Sequence, residues 1–306
     1  MAATTTLALA SCQKVKPAHL RAGYVKVLAA LPFMFAHKMG YFAKAGLDIE
    51  AVEFANSNDV ATAGVTKAVD FIGAGATNAC LDAMTASGST MQIFTTNNYV
   101  KRPNNQSTDF LLSLPEFKTV ESLKGQPVAF FPGSFGKMFA KLILPKLGLN
   151  VSDVQYVEMQ PGQWLAALQS GAIKAVTALE PAATKIMTSL PVNVLVDGYY
   201  ASVMQGVPAS GSWFRSGHLD RVTEEKINQV MLDAISLLSK DRAVATTAIQ
   251  SLFSLDVGVA GKVRMLDWQS AKEGQDRIAL KQFASLLESA GGIARPAPLN
   301  DAWIWS

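Results

Sequence analysis

The chain has 306 residues, 49% of them hydrophobic and 17% charged, with a formal net charge of +3 from 27 basic and 24 acidic side chains. That length exceeds one compact core and suits two units of about 100–150 residues. The composition excludes a disordered chain, and the basic residues, spread singly among acids, exclude a nucleic-acid footprint. Two cysteines (Cys12, Cys80) and three separated histidines (His19, His37, His218) supply no metal-ligand spacing, so no metal or cofactor is expected. No segment reaches the ~18 uninterrupted apolar residues of a membrane span.

Residues 20–26 are predicted as a strand. Pro32 opens a predicted helix over 33–44, where its missing N–H costs nothing, and Gly46 ends it. Residues 47–54 alternate apolar and polar and predict a strand. A helix over 58–68, a strand over 70–73, a helix over 78–86 and a strand over 92–96 follow. This β-α-β rhythm predicts a parallel sheet covered by helices. The polar stretch 97–108 is the best linker, and beyond it the rhythm restarts. Strands are predicted over 110–113, 127–131, 155–159, 175–179 and 193–197, with helices over 135–147, 162–170 and 181–189 between them. The remainder is mostly helical, over 223–240, 242–253 and 278–290. Thr223, Glu224 and Glu225 there place an acceptor and two anions at a helix start. Two α/β units facing one another would put a ligand in the cleft at their strand ends.

Four phrases carry a resemblance to a family. Gly40-Tyr41-Phe42-Ala43-Lys44-Ala45-Gly46-Leu47 resembles a "Gly–aromatic–Phe–x–x–x–Gly–Leu" helix end followed by an acidic strand. Residues 120–128 (VESLKGQPV), 148–154 (GLNVSDV) and 168–181 (LQSGAIKAVTALEP) follow in order. Together they resemble the periplasmic solute-binding proteins of the sulfonate, taurine, nitrate and thiamine-precursor type. Lys174 stands where that family commonly has Asp, and Leu179 where it often has Trp. The resemblance implies an α/β, type II periplasmic-binding fold: two lobes, a hinge and a central cleft. It implies one lobe from residues 20–97 plus 202–306 and another from 98–201, with residues 1–19 as a signal remnant or tail. It further implies a monomer outside the cytoplasm that hands a small solute to the transmembrane subunits of an ABC permease. Leu9-Ala10-Ser11-Cys12 resembles a bacterial lipobox, which would make Cys12 a lipidated anchor, although no Lys or Arg precedes it.

Candidate solute-binding residues come from strand ends. Gly75, Ala76, Thr77 and Asn78 follow one strand, and Gly133, Ser134 and Phe135 follow another. Glycine lets backbone approach a ligand, and helix N-termini offer free N–H groups to an anion. Glu180, before Pro181, could accept from a ligand amine or ring N–H; capping its own helix is the alternative. Tyr24, Tyr199 and Tyr200 could wall the cleft, as could Trp164, which could equally be core. Asn97 is a hinge or site candidate, Gln160 precedes a helix, and Lys26 and Lys137 are the nearest cations. These features favour a sulfonate or taurine-like solute. A pyrimidine precursor fits Glu180 and the rings, nitrate fits the helix N-termini alone, and an enzyme on the same fold (pyrimidine synthase or menaquinone-pathway type) is the remaining alternative.

Overall fold

The computed structural model describes residues 19–73, 77–88, 91–96, 107–200, 212–215, 219–266, 268 and 277–289. Two five-stranded sheets organise it. The first has β1 (His19–Val25), β2 (Asp48–Phe54), β3 (Phe71–Gly73), β4 (Gln92–Thr96) and β10 (Ser212–Arg215) in the order β2-β1-β3-β10-β4. The second has β5 (Asp109–Ser113), β6 (Pro127–Phe130), β7 (Gln155–Glu158), β8 (Ala175–Leu179) and β9 (Asn193–Asp197) in the order β7-β6-β8-β5-β9.

The two orders repeat one plan. In each sheet three consecutive strands pair in parallel, and a fourth strand is wedged beside them antiparallel. That wedge is β5 in the second sheet and β10 in the first. Each is the first strand after a crossover from the opposite sheet, so it enters from the cleft end and must run backwards. The wholly parallel sheet expected from the β-α-β rhythm is therefore corrected to a mixed one. Local periodicity reports that a strand exists, while its direction depends on where the chain came from.

Helices α1 (Leu31–Lys38), α2 (Tyr41–Lys44), α3 (Ser57–Val65) and α4 (Thr77–Ser87) serve the first sheet. The single helix expected over 33–44 is two, because Gly40 takes φ +70° between them. Helices α5 (Ser134–Lys146), α6 (Pro161–Gln169) and α7 (Ala182–Ser189) serve the second sheet. Pro181 is the residue before α7 rather than within it. The chain then returns to the first lobe with α8 (Arg221–Lys240), α9 (Arg242–Phe253), α10 (Val257–Ala260) and α11 (Arg277–Ser289). The start of α8 lies earlier than Thr223. Asp220 is its cap, accepting from the Thr223 N–H at 2.9 Å, and Glu224 is buried.

One core joins Leu31, Phe33, Phe42 and Phe71 to Ile227, Met231, Ala245 and Ile249 of α8 and α9. A second lies under the other lobe around Leu123, Phe130 and Leu144. A third runs from the first lobe into the second, through Val60 and Ile72 to Phe131, Trp164 and Tyr199. The boundary between the lobes is therefore packed along part of its length.

Candidate functional site

The carboxyl ends of β1, β6, β7 and β8 converge on a cavity of ≈ 290 Å³. Lys26 and Val27, just after β1, and Phe253 and Leu255, at the end of α9, line it from the first lobe. Phe131, Gln160 to Gly162, Leu165, Leu179 to Ala182, Lys185 and Ile186 line it from the second. The wall is mostly apolar, with one exposed lysine from each lobe, and neither lysine has an ion-pair partner among the described residues. Two lysines lining an apolar hollow suit an anion that carries a hydrocarbon body.

Beside the cavity the lobes touch along a polar seam. Ser134, the first residue of α5, donates its backbone N–H to Asn58 Oδ1 at 3.0 Å across the cleft. Gln160 Nε2 donates to the Ala55 carbonyl at 3.0 Å, and Asn78 Nδ2 lies 3.4 Å from Ser134 Oγ. Asn56 holds the first-lobe side of this seam by accepting from the Asn58 and Asp59 N–H groups at the start of α3. On the other side two glycines let the β6–α5 turn form. Gly133 has φ +85°, and a Cβ there would stand 2.9 Å from Asn58 Oδ1. A Cβ on Gly136 would stand 1.8 Å from the Phe131 carbonyl oxygen, an impossible approach.

The expected residues thus separate into groups. Asn78, Gly133, Ser134 and Gln160 meet at the seam, and Lys26, Gln160 and Glu180 line the cavity. The amides expected to be free for an anion are already bonded to protein oxygens, Ser134 N to Asn58 and Gly133 N to Glu158 Oε2 at 3.3 Å. Asn78 is fully buried, and its Oδ1 has no hydrogen-bond partner among the described residues. Phe135 is buried against Phe131 and Tyr200. Tyr199 is 1% exposed, packed on Tyr200 within the core, and burial drives its phenol well up from the ordinary value. Trp164 is likewise core, its indole N–H donating to the Met159 carbonyl. Tyr24 does not line this cavity. It packs on Phe33, donates to Glu53 at 3.3 Å and lines a second hollow of ≈ 130 Å³ with Met34 and His37, which Lys26 borders as well. Burial, then the Glu53 charge, pushes the Tyr24 hydroxyl up to about 12. Lys137 pairs with Glu158 at 3.3 Å. Thr77 begins α4, whereas Cys12, Gly75, Ala76 and Asn97 lie outside the described residues.

Glu180 borders the cavity, but its oxygens are engaged elsewhere. Oε1 accepts from Thr184 Oγ1 at 2.7 Å and from the Arg264 backbone N–H at 3.1 Å, and Oε2 accepts from the Thr184 N–H at 3.0 Å. Only 3% of the residue is exposed, and burial raises its carboxyl above the usual range against the pull of these donors. The residues missed in the sequence are Asn58, Lys185, Phe253, Leu255 and Arg264. Asn58 reads as the start of a helix, and Lys185 falls within the predicted helix over 181–189 with nothing to single it out. A neutral amide or a lone lysine has no local pattern that marks it as facing another lobe.

Comparison with solved structures agrees with this architecture. The alkanesulfonate-binding protein SsuA of Xanthomonas axonopodis pv. citri, bound to MOPS, superposes with a TM-score of 0.72 at 20% identity, covering 95% of this chain and 99% of that one. The periplasmic aliphatic sulphonate-binding protein SsuA of Escherichia coli gives 0.67 at 19% identity, covering 94% and 98%. The periplasmic nitrate-binding protein NrtA of Synechocystis PCC 6803 gives 0.63 at 13% identity, covering 83% and 70%. At such identities the likeness is one of fold: two α/β lobes of the periplasmic-binding type around a central cleft. No curated protein matches the chain. The NMT1/THI5 like family matches residues 29–194, a little over half of the chain and the stretch that carries β2 to β8, and the chain belongs to that family.

Proposed function

We propose that this protein is the extracytoplasmic solute-binding component of an ABC importer, and that it closes around a small organic anion, a sulfonate first. The observation that carries this reading is the interlobe cavity with Lys26 on one lobe, Lys185 on the other and an apolar wall between them. An anion bridging two lysines on separate lobes favours the closed arrangement over any open one, because only closure brings both cations to it. The alkanesulfonate-binding neighbour with bound MOPS supports the sulfonate assignment. Nitrate would leave the apolar wall unused. A pyrimidine would need Glu180 as an acceptor, and both of its oxygens already accept from Thr184 and Arg264. In this reading residues 20–97 and 202–306 form one lobe and 98–201 the other. The protein binds without turnover, works as a monomer, passes its solute to the permease and is anchored through Cys12.

A thermal-shift screen of alkyl and aryl sulfonates, taurine, carboxylates, nitrate and pyrimidines tests the proposal. A solute at 100 times its Kd should stabilise the protein by about 2.7 kcal/mol. Sulfonates should give the largest shift, and Lys26→Ala or Lys185→Ala should weaken their binding by about tenfold, about 1.4 kcal/mol. A screen in which no solute raises the melting temperature would end the transport reading.

A further inference from the structure

Among the described elements two stretches of chain cross between the lobes, one from β4 to β5 and one from β9 to β10. A third connection, without covalent continuity, arises in the tail. Residues 261–263 belong to the first lobe. Arg242, at the start of α9, donates from Nη2 to the Gly261 and Val263 carbonyls at 2.9 and 2.7 Å, and Val263 is buried in the core under α8 and α9. At the next residue the partners change lobe. The Arg264 N–H donates to Glu180, just beyond β8 of the second sheet. Its guanidinium reaches both oxygens of Asp197, at the end of β9, at 3.1 and 3.0 Å. The same group lies 4.7 Å from the Phe110 ring and 3.4 Å from the Ser107 carbonyl, while Ser107 Oγ donates to Asp197. The chain then goes back: Met265 and Leu266 pack against the first-lobe core, and Trp268 is buried in it.

Ser107 and Asp197 flank the two crossovers, one as the chain enters the second sheet and one as it leaves. A single arginine therefore fastens both crossing points to a loop of the first lobe. We infer that Arg264 is a positioning residue, a third link between the lobes that sets where they pivot and how far they separate. The inference deepens the closure reading above by naming what limits the motion. The guanidinium suits the task because one nitrogen, Nη1, donates to the carboxylate while the planar group lies over an aromatic ring, a stacking that an ammonium does not reproduce.

The test uses the full chain with Cys12→Ser to remove the second thiol, and with spin labels on Lys44→Cys and Lys146→Cys, which are exposed positions on opposite lobes. Double electron–electron resonance then reads the interlobe distance with no solute added. Arg264→Met should broaden the distribution and move it to longer distances, Asp197→Asn should do so less, and Arg264→Lys should fall between wild type and Arg264→Met. If Arg264→Met does not fold, Asp197→Asn and Arg264→Lys carry the same readout. A wild-type distribution in folded Arg264→Met, or in both milder variants, would overturn the inference. This readout stays separate from the transport reading, since a failed solute screen would leave it unchanged.

Discussion

The boundary between the lobes has two ends that are built differently. At the seam, neutral groups meet: the Asn58 carboxamide with the Ser134 amide, and Gln160 with the Ala55 carbonyl. Such bonds are worth about 0.5–1.5 kcal/mol each, and water replaces them readily when the surfaces part. Beside the crossovers the contacts involve charge: Arg264 on Asp197, and the buried Glu180 carboxylate accepting from Thr184 and from the Arg264 backbone. Bonds to ionised groups are worth about 1.5–3 kcal/mol, and a buried carboxylate stripped of its donors costs more. Arg264 and Asp197 remain 32% and 44% exposed, so solvent screens the ion pair, and the Phe110 ring under the guanidinium and the Glu180 bonds add to its hold. The difference teaches which end moves. A two-lobed protein needs one edge that parts at little cost and one that holds, and the chemistry of the two edges divides in that way.

Four substitutions or conditions would break or sharpen this contrast. The largest effect belongs to Gly136→Ala. Its Cβ cannot coexist with the Phe131 carbonyl, so the β6–α5 turn must shift and carry Ser134 off Asn58. A loss of about 3 kcal/mol in urea unfolding is expected, with an opened seam. A stability equal to wild type would show that the turn tolerates a side chain.

Glu180→Ala comes next. It strips three donors of their acceptor at the firm end, and a loss of about 1–3 kcal/mol is expected. Hydrogen exchange should quicken at the Thr184 and Arg264 amides and stay unchanged at Ser134. Equal quickening at the seam would mean that the two ends are one cooperative unit.

Asn58→Ala should cost about 1 kcal/mol or less and act on opening rather than on global unfolding. Small-angle scattering should show a more open average, with the melting temperature hardly moved. A compact profile indistinguishable from wild type would remove the seam from the account.

The smallest effect is a pH slope. The folded Glu180 carboxyl titrates above its ordinary 4.5, so the folded state binds more protons than the unfolded one in that interval. Stability from this group therefore falls as pH rises from 4.5 through the raised folded value. Glu180→Gln lacks the slope. Urea midpoints of both proteins between about pH 5 and 8 should show the wild type losing ground to the variant as pH rises. The opposite trend would mean that the donors around the carboxylate outweigh its burial.

Much of the fold was legible one element at a time. The alternation in β2, the apolar runs of β5 and β8, and the glycines that end α2 and α5 mark elements through nearest-neighbour physics. β10 was not legible. It has four residues, no surrounding periodicity, and exists because β3 and β4 leave a gap that an antiparallel strand fills. For the site, the turns after β6, β7 and β8 could be picked out by their glycines and prolines, but not what they would face. Tyr199 reads as a loop aromatic and is core; Glu180 reads as a ligand acceptor and holds Arg264.

What the sequence alone determined is most of the strands, helices and turns, since backbone sterics and hydrophobic period act over a few residues. What only the tertiary structure decided is strand direction, the seam at Asn58 and the link at Arg264. Those depend on groups separated by tens of residues in the chain, 76 between Asn58 and Ser134 and 84 between Glu180 and Arg264. No local pattern encodes such a meeting, because each partner taken by itself has the chemistry of an ordinary surface residue.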